Sequence, residues 1–272
     1  MYIIFIIIII IFYLLNTFFS FTNIFNEKIV ISFTTSPVRI TKIKPLIDLL
    51  MRQTLKPYKI VINLPYVFKR TNMTFSEIPD FIISNPLIYI NWCEDIGPST
   101  KILPTIKLFD DPEQIIISID DDMHYTDTFI ENMVEYSKLH PQAVITNKSF
   151  MYKENVDNVQ YVELLEGYGS VLYKRKFLDN FDINEILNYP KYCFLADDLI
   201  LSNHILKNNI PIITNNTVNT IIGQFEYDNG SDALRNGADG NSVSNIDNYV
   251  KCSKYLESKN DLHINKKHFA NL

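Results

Sequence analysis

Residues Ile115–Tyr125 read IIISIDDDMHY, and the architecture follows from how the two halves of this stretch meet. Ile115–Ile119 is isoleucine except for Ser118, the pattern of a strand buried on both faces. Asp120, Asp121 and Asp122 follow it directly. Three adjacent carboxylates repel one another and make a poor strand end unless a cation neutralises them. Hard divalent cations such as Mg²⁺ or Mn²⁺ accept carboxylate oxygens together with substrate phosphates. In an extended segment Asp120 and Asp122 point to one side and Asp121 to the other, so the two outer residues form a pincer. A solvated acidic turn or a helix cap also accounts for a bare Asp triplet. Its place at the end of a buried strand favours the ligand site. His124 reads as a loop residue, with a further ligand as the alternative.

Working outward, strands and helices alternate. Lys28–Thr34 (KIVISFT) is a strand closed by Ser36-Pro37, and Ile40, Ile43, Ile47 and Leu50 then recur at helical spacing. Pro45 fits only the first turn of that helix. Tyr58–Leu64 and Leu87–Trp92 are the second and third strands. A helix runs from Pro98 and Ser99 to about Phe109, and Ile115–Ile119 is the fourth strand. This order predicts a mostly parallel, doubly wound α/β sheet. Ligands bind beyond the carboxyl ends of such strands, here just after Thr34, Leu64, Trp92 and Ile119. Further on, Thr126–Leu139 is an amphipathic helix and Gln142–Thr146 a short strand. A hairpin turns at Asn155–Asn158, Gly167–Tyr173 enters a strand, and Phe194–Lys207 is one helix. Ile210–Thr214 is a strand and Ile246–Lys259 a last helix. Between them Gly223–Asn245, rich in Gly, Asn, Asp and Ser, reads as a flexible loop suited to closing over a ligand.

The chain has 272 residues, 47% hydrophobic and 21% charged, enough to build a sizeable core and to exclude wholesale disorder. A net charge of −6 argues against a nucleic-acid partner, which needs a broad cationic surface. Only 7 glycines occur, which disfavours Gly-rich phosphate loops. Cys93, Cys193 and Cys252 are odd in number and far apart, predicting neither a disulfide framework nor a zinc site. Tyr2–Leu15 is an unbroken apolar run that Phe18, Phe19 and Phe21 extend. Residues 1–25 therefore read as a hydrophobic helix, either a single-pass membrane anchor embedded through residues 2–21 or a signal sequence. A single domain, 26–272, follows it. Lys28 and the more distant Arg39, Lys42 and Lys44 would by the charge rule keep that domain cytosolic. Signal anchors of secretory-pathway enzymes instead place it in the ER or Golgi lumen, the favoured location, or outside the cell if the segment is cleaved. Four Asn-x-Ser/Thr sequons, at Asn72, Asn147, Asn215 and Asn229, are what an Asn-rich composition gives by chance.

Asp197-Asp198 is a second acidic pair at the front of a helix, where carboxylates favour the helix dipole. At these two acidic sites the chain resembles the GT-A-fold glycosyltransferases, in particular family 2-like enzymes and the exostosin-type transferase domain. The matching stretches, in order, are IVISFTTSPVR (Ile29–Arg39), KIVINLP (Lys59–Pro65), EDIGPSTK (Glu94–Lys101), IIISIDDDMHY, EGYGSVLYKR (Glu166–Arg175) and FLADDLILS (Phe194–Ser202). The resemblance spans about 30–214 and implies a nucleotide-sugar donor held through Mn²⁺ or Mg²⁺. It implies Asp122 as the metal ligand and Asp120 facing the donor ribose or sugar, with Asp121 beside them at the donor. Thr35 and Arg39 would line the base or phosphates, and Asp95 and Lys101 would approach the nucleotide. Asn63 stands where many family 2 enzymes carry a base-contacting Asp, a departure that bears on the UDP-sugar donor otherwise favoured. Glu166, Gly167 and Tyr168 would face the sugar and acceptor. Asp198, or its neighbour Asp197, would be the catalytic base of an inverting transfer to a glycan, glycoprotein or glycolipid hydroxyl. A sugar nucleotidyltransferase uses a similar sheet but carries a Gly-rich loop after the first strand, and SFTTSPVR has no glycine. A membrane-anchored nucleotide-sugar or glycan-binding protein of the same fold, without turnover, is the rival from another class.

Overall fold

The computed structural model of the chain describes residues 28–215, 220–225 and 245–269. The apolar segment at 2–21 and residues 226–244 of the expected loop lie outside them. Among the described residues no helix is long and apolar enough to cross a membrane.

Nine strands form one sheet. They are β1 (Val30–Thr34), β2 (Lys59–Pro65), β3 (Ile88–Cys93), β4 (Ile115–Ser118), β6 (Val144–Thr146), β7 (Ser149–Val156), β8 (Val159–Leu165), β9 (Val171–Lys174) and β10 (Ile212–Thr214), while β5 (Met123–Tyr125) and β11 (Ile221–Gln224) pair separately. The spatial order is β3-β2-β1-β4-β9-β6-β10-β8-β7. The parallel block β3-β2-β1-β4 is the doubly wound half expected from the alternating pattern. β9 runs antiparallel between β4 and β6, and β8 antiparallel to both β10 and β7. Those two strands oppose the other seven, so the sheet is mixed but mostly parallel.

Alternation along the strands distributes the core to both faces. Ile31, Phe33, Ile115 and Ile117 join a cluster on one side with α1 (Lys44–Arg52) and α2 (Phe129–Leu139). Val30 and Ile116 point the other way, into a cluster with α3 (Asp197–Lys207) and α4 (Asn245–Ser258). In α1, Pro45 sits in the first turn and Leu46, Ile47, Leu49 and Leu50 are buried, as the spacing predicts.

Four expectations are corrected. The helix after Pro98 is a 3₁₀ turn, Ser99–Lys101, followed by a separate short helix, Leu103–Ile106. Pro104 has no N–H to bond back to Thr100, so a continuous helix cannot pass through it. The helix expected over Phe194–Lys207 divides into a turn at Lys191–Phe194 and α3, which begins at Asp197. Gly223 and Gln224, expected in the loop, belong to β11, and Asn245 already opens α4. Finally, Cys193 and Cys252 form a disulfide across 59 residues, leaving Cys93 free. Pairing depends on two helices packing together, which spacing along the chain does not report.

The hairpin does turn at Asp157-Asn158, both with positive φ (49° and 65°), as a tight right-twisted turn requires. Because Ile117 is fully buried in β4, Ile117→Ala should lower unfolding stability by about 2–5 kcal/mol, read from urea denaturation.

Candidate active site

β4 ends at Ser118, and Asp121-Asp122 occupy a turn before β5. The triplet is therefore not extended, and the expected alternation of its side chains does not hold. All three carboxyl groups line a cavity of about 490 Å³ at the carboxyl ends of β1 and β4. Each meets a different partner.

Asp120 accepts a hydrogen bond from Lys101 Nζ at 2.9 Å. Asp121 is buried and accepts from Thr35 Oγ1 at 2.6 Å and from Arg39 Nη1 at 2.8 Å. Burial drives its pKa up to about 6, against the pull of Arg39. Asp122 Oδ2 accepts from Gln224 Nε2 at 2.7 Å and lies 3.3 Å from Arg39 Nη1. Its pKa is raised by burial and then by Asp120. β11 pairs with β5 and so brings Gln224 to Asp122, 102 residues away in sequence.

The opposite wall comes from the front of α3. Lys101, 6% exposed, also lies 3.3 Å from Asp197 Oδ2, an ion pair without hydrogen-bond alignment. Burial alone would lower the Lys101 pKa, but Asp120, Asp197 and Asp198 together outweigh it and hold the ammonium charged. Asp198 Oδ1 accepts from the Gly167 N–H at 2.9 Å, and Oδ2 from the Tyr249 hydroxyl at 3.0 Å. Burial first, and then Asp197, push the Asp198 carboxyl up to about 8, with Lys101 opposing. Glu166 and Tyr168 stand at the cavity wall, and Tyr168 is 42% exposed. Burial raises the pKa of Glu166.

Gly167 is required by close approach: a Cβ there would overlap Lys101 Nζ and come within 2.9 Å of Asp198 Oδ1.

Two sequence-derived donor contacts lie elsewhere. Asn63 is fully buried, donating to Thr105 Oγ1 at 2.8 Å and accepting from Asn91 Nδ2 at 2.7 Å. Asp95 is 4% exposed and accepts from the Lys69 and Gly97 N–H groups at 2.7 and 2.8 Å, organising the Glu94–Lys101 loop. Neither lines the cavity. Phe68, Arg70, Gln224 and Tyr249 do, and sequence reasoning did not single them out. Gln224 and Tyr249 reach the site only through long-range pairing, without a local motif. The guanidinium of Arg70 lies 4.8 Å from the Phe68 ring centroid.

No family profile matches the chain, and no curated protein matches it by sequence. Among solved structures it is similar to S. aureus TarS. The crystal structure of TarS 1–349 in complex with UDP-GlcNAc aligns with TM-score 0.53 and 11% identity over 89% of this chain and 69% of that one. TarS is a glycosyltransferase of GT-A-like fold. This chain has the GT-A-like fold. A second TarS crystal structure gives TM-score 0.49 and 12% identity over 85% of this chain and 43% of that one. The UDP complex of TarS 1–349 gives 0.46 and 11% over 85% and 71%. On this GT-A-like sheet the acidic turn after β4 faces the acidic start of α3 across one crevice, with Lys101 between them.

Gly167→Ala should displace Lys101 or Asp198 and abolish turnover with little loss of secondary structure, compared by activity and circular dichroism. Asn63→Ala should cost about 1–3 kcal/mol of stability by orphaning buried partners, yet leave nucleotide affinity unchanged in calorimetric titration.

Proposed function

We propose that the chain transfers a sugar from a nucleotide-sugar donor to an acceptor hydroxyl, with inversion at the anomeric carbon. The observation that carries this reading is that Asp198, a buried carboxyl with a raised pKa, faces the Asp120–Asp122 turn across a single cavity. A displacement of this kind needs charge stabilisation for the leaving diphosphate on one side and a proton acceptor on the other. The TarS 1–349 structure that aligns at TM-score 0.53 contains UDP-GlcNAc, which supports a UDP-sugar as donor class. The acceptor class proposed is a glycan, glycoprotein or glycolipid.

The cavity is lined by the carboxyl groups of Asp120, Asp121, Asp122, Glu166, Asp197 and Asp198, against the cations Arg39, Arg70 and Lys101. A diphosphate entering such a wall is repelled unless a further cation accompanies it. Among the described residues no group of three or more His, Cys, Asp or Glu could hold a metal by itself. The donor set nevertheless fits an ion carried in with its substrate. Lys101 meets Asp120 at Oδ1, and Gln224 and Arg39 meet Asp122 at Oδ2, so each carboxylate presents a second oxygen, and Mg²⁺ characteristically binds one or two carboxylates plus phosphate oxygens. Mn²⁺ suits the same oxygen donors. When bound, such an ion supplies charge neutralisation at the departing diphosphate.

The chain's own residues do the rest. Arg39 fixes Asp121 and Asp122 relative to each other. Lys101 holds the acidic turn against the front of α3. Asp198, its carboxyl plane set by Gly167 and Tyr249, takes the proton of the acceptor hydroxyl as that oxygen attacks. Asp197, ion-paired with Lys101, is placed to reinforce the raised pKa of Asp198.

The Cys193–Cys252 disulfide supports an oxidising compartment. We therefore place the domain on the lumenal side of the secretory pathway, tethered through residues 2–21, or secreted if that segment is removed. Of the described sequons, Asn147 and Asn215 are buried and Asn72 is exposed in a turn, so Asn72 is the one available for a glycan.

Donor hydrolysis across a nucleotide-sugar panel, with Mn²⁺, Mg²⁺ or EDTA, tests the reading. One donor should be cleaved with metal and not with EDTA, and Asp122→Ala should abolish that activity while the fold survives. A fully active Asp122→Ala would sink the metal assignment. Asp198→Asn should keep donor binding and lose transfer; retained transfer would move the base to Asp197. Because Asp198 must be ionised to accept a proton, kcat should rise with pH through about 8, reaching about a tenth of its plateau at pH 7. A flat profile between pH 6 and 9 would remove Asp198 from that role.

A further inference from the structure

α4 reaches the site from the end of the described chain, and one face of it does two things. Tyr249 donates its hydroxyl to Asp198 Oδ2 at 3.0 Å, and Cys252, one turn later on the same face, is bonded to Cys193. Cys193 lies in the Lys191–Phe194 turn, which leads directly into Asp197 and Asp198 at the start of α3. The covalent bond therefore joins the helix that supplies the hydroxyl to the segment that supplies the carboxyl. Cys252 is fully buried and Cys193 is 1% exposed, so the link is packed within the core beneath α3 and α4.

We propose that Tyr249 is a positioning residue for the Asp198 carboxylate and that the Cys193–Cys252 disulfide is the clamp that keeps it there. This rests on the assignment of Asp198 as base. The Asp198 carboxyl has two oxygens and two hydrogen-bond donors, the Gly167 N–H and the Tyr249 hydroxyl. Gly167 is fixed by the tight 3₁₀ turn that follows β8, whereas Tyr249 depends on how α4 is seated. The groups acting electrostatically with Asp198 are Asp197 on its own helix, Lys101 and Asp120 opposite, and Tyr168, Tyr173 and Tyr249. Glu166 acts on Tyr249 in turn. Burial, followed by Asp198 and Asp197, holds the Tyr249 hydroxyl protonated well beyond its usual range, so it stays a donor. A donor to a carboxylate stabilises the ionised form. Removing it makes Asp198 harder to ionise and leaves its orientation held from one side only.

Opening the clamp is ordinary thiol–disulfide exchange. A dithiol reductant supplies two electrons, its thiolate attacks one sulfur, and the Cys193 and Cys252 thiols leave while the reductant closes to its own disulfide.

The test uses the full chain with ¹³C-labelled aspartate, in four forms: unmodified, Tyr249→Phe, Cys193→Ala with Cys252→Ala, and unmodified protein reduced with dithiothreitol. The Asp198 carboxyl is followed by NMR against pH without substrate, and sugar transfer is profiled over the same range. In Tyr249→Phe the Asp198 pKa should rise by about one unit, with kcat at pH 7 falling up to tenfold and donor KM unchanged. The reduced protein and the double Cys variant should reproduce the shift. An unmoved Asp198 titration in Tyr249→Phe would overturn the positioning role. An unmoved titration in reduced protein, with both thiols open to alkylation, would overturn the clamp. If the Asp198 titration moves while the transfer profile does not, the positioning stands and the base assignment falls.

Discussion

A single ammonium group, on Lys101, lies in contact with Asp120 and Asp197 and acts electrostatically on Asp198, with almost no water around it. Three segments distant in sequence end at it: the loop after β3, the turn after β4 and the front of α3. Without the cation these carboxylates would repel one another across the cavity or take up protons. With it, each can remain close to the others and still differ in chemistry. Removing one partner of such a buried pair costs about 3–5 kcal/mol, because the remaining charge is stranded. The same constraint explains Gly167, whose missing side chain leaves room for Lys101 Nζ and Asp198 together.

Around that charge, environment separates the acidic residues into roles. Asp121 spends both oxygens on Thr35 and Arg39 and serves to shape the turn. Asp122 is anchored through one oxygen by Gln224 and Arg39. Asp198 is enclosed, hydrogen-bonded at both oxygens and pushed toward the neutral form. Carboxyl groups of identical intrinsic acidity thus come to differ in protonation and hydrogen bonding by what surrounds them, and the cation-facing and proton-accepting roles we propose for Asp122 and Asp198 rest on that difference.

Much of this was legible in the sequence, for reasons that also mark where reading fails. Strands β1, β2 and β4 announce themselves because burial on both faces demands nearly unbroken apolar runs. β3, at the sheet edge and only partly buried, shows as a short β-rich run, and the parallel pairing of the four follows from the helices between them. The reversal of β8 and β9 leaves no comparable trace, since antiparallel and parallel buried strands draw on the same residues. Asp120, Asp122, Lys101 and Asp198 could be placed because they sit at element ends. Asn63 was expected at the donor because the resemblance puts a base-contacting Asp at its position, whereas here it is buried and bonded to Ser32, Thr105 and Asn91 within the fold. Ser32 on the neighbouring strand, in register beside Val61, was the available hint that this face carries an internal polar network. Tyr249, Gln224 and the disulfide depend on contacts across 51, 102 and 59 residues, and no local pattern encodes such meetings.

The seating of α4 over Asp198 also has a temporal side. Tyr249 follows Asp198 by 51 residues, which at about 5–20 residues per second is a delay of about 3–10 s in synthesis. During that interval the block β3-β2-β1-β4-β9-β6 can already pair and β10 is added, while the carboxyl at the front of α3 lacks its second hydrogen-bond donor and Cys193 lacks its partner. The emerging chain therefore passes through a stage in which the crevice exists but is unfinished. Completion waits for the last helix to dock and for an oxidant to close the bond, so assembly of the site is coupled to the chain's passage through biosynthesis.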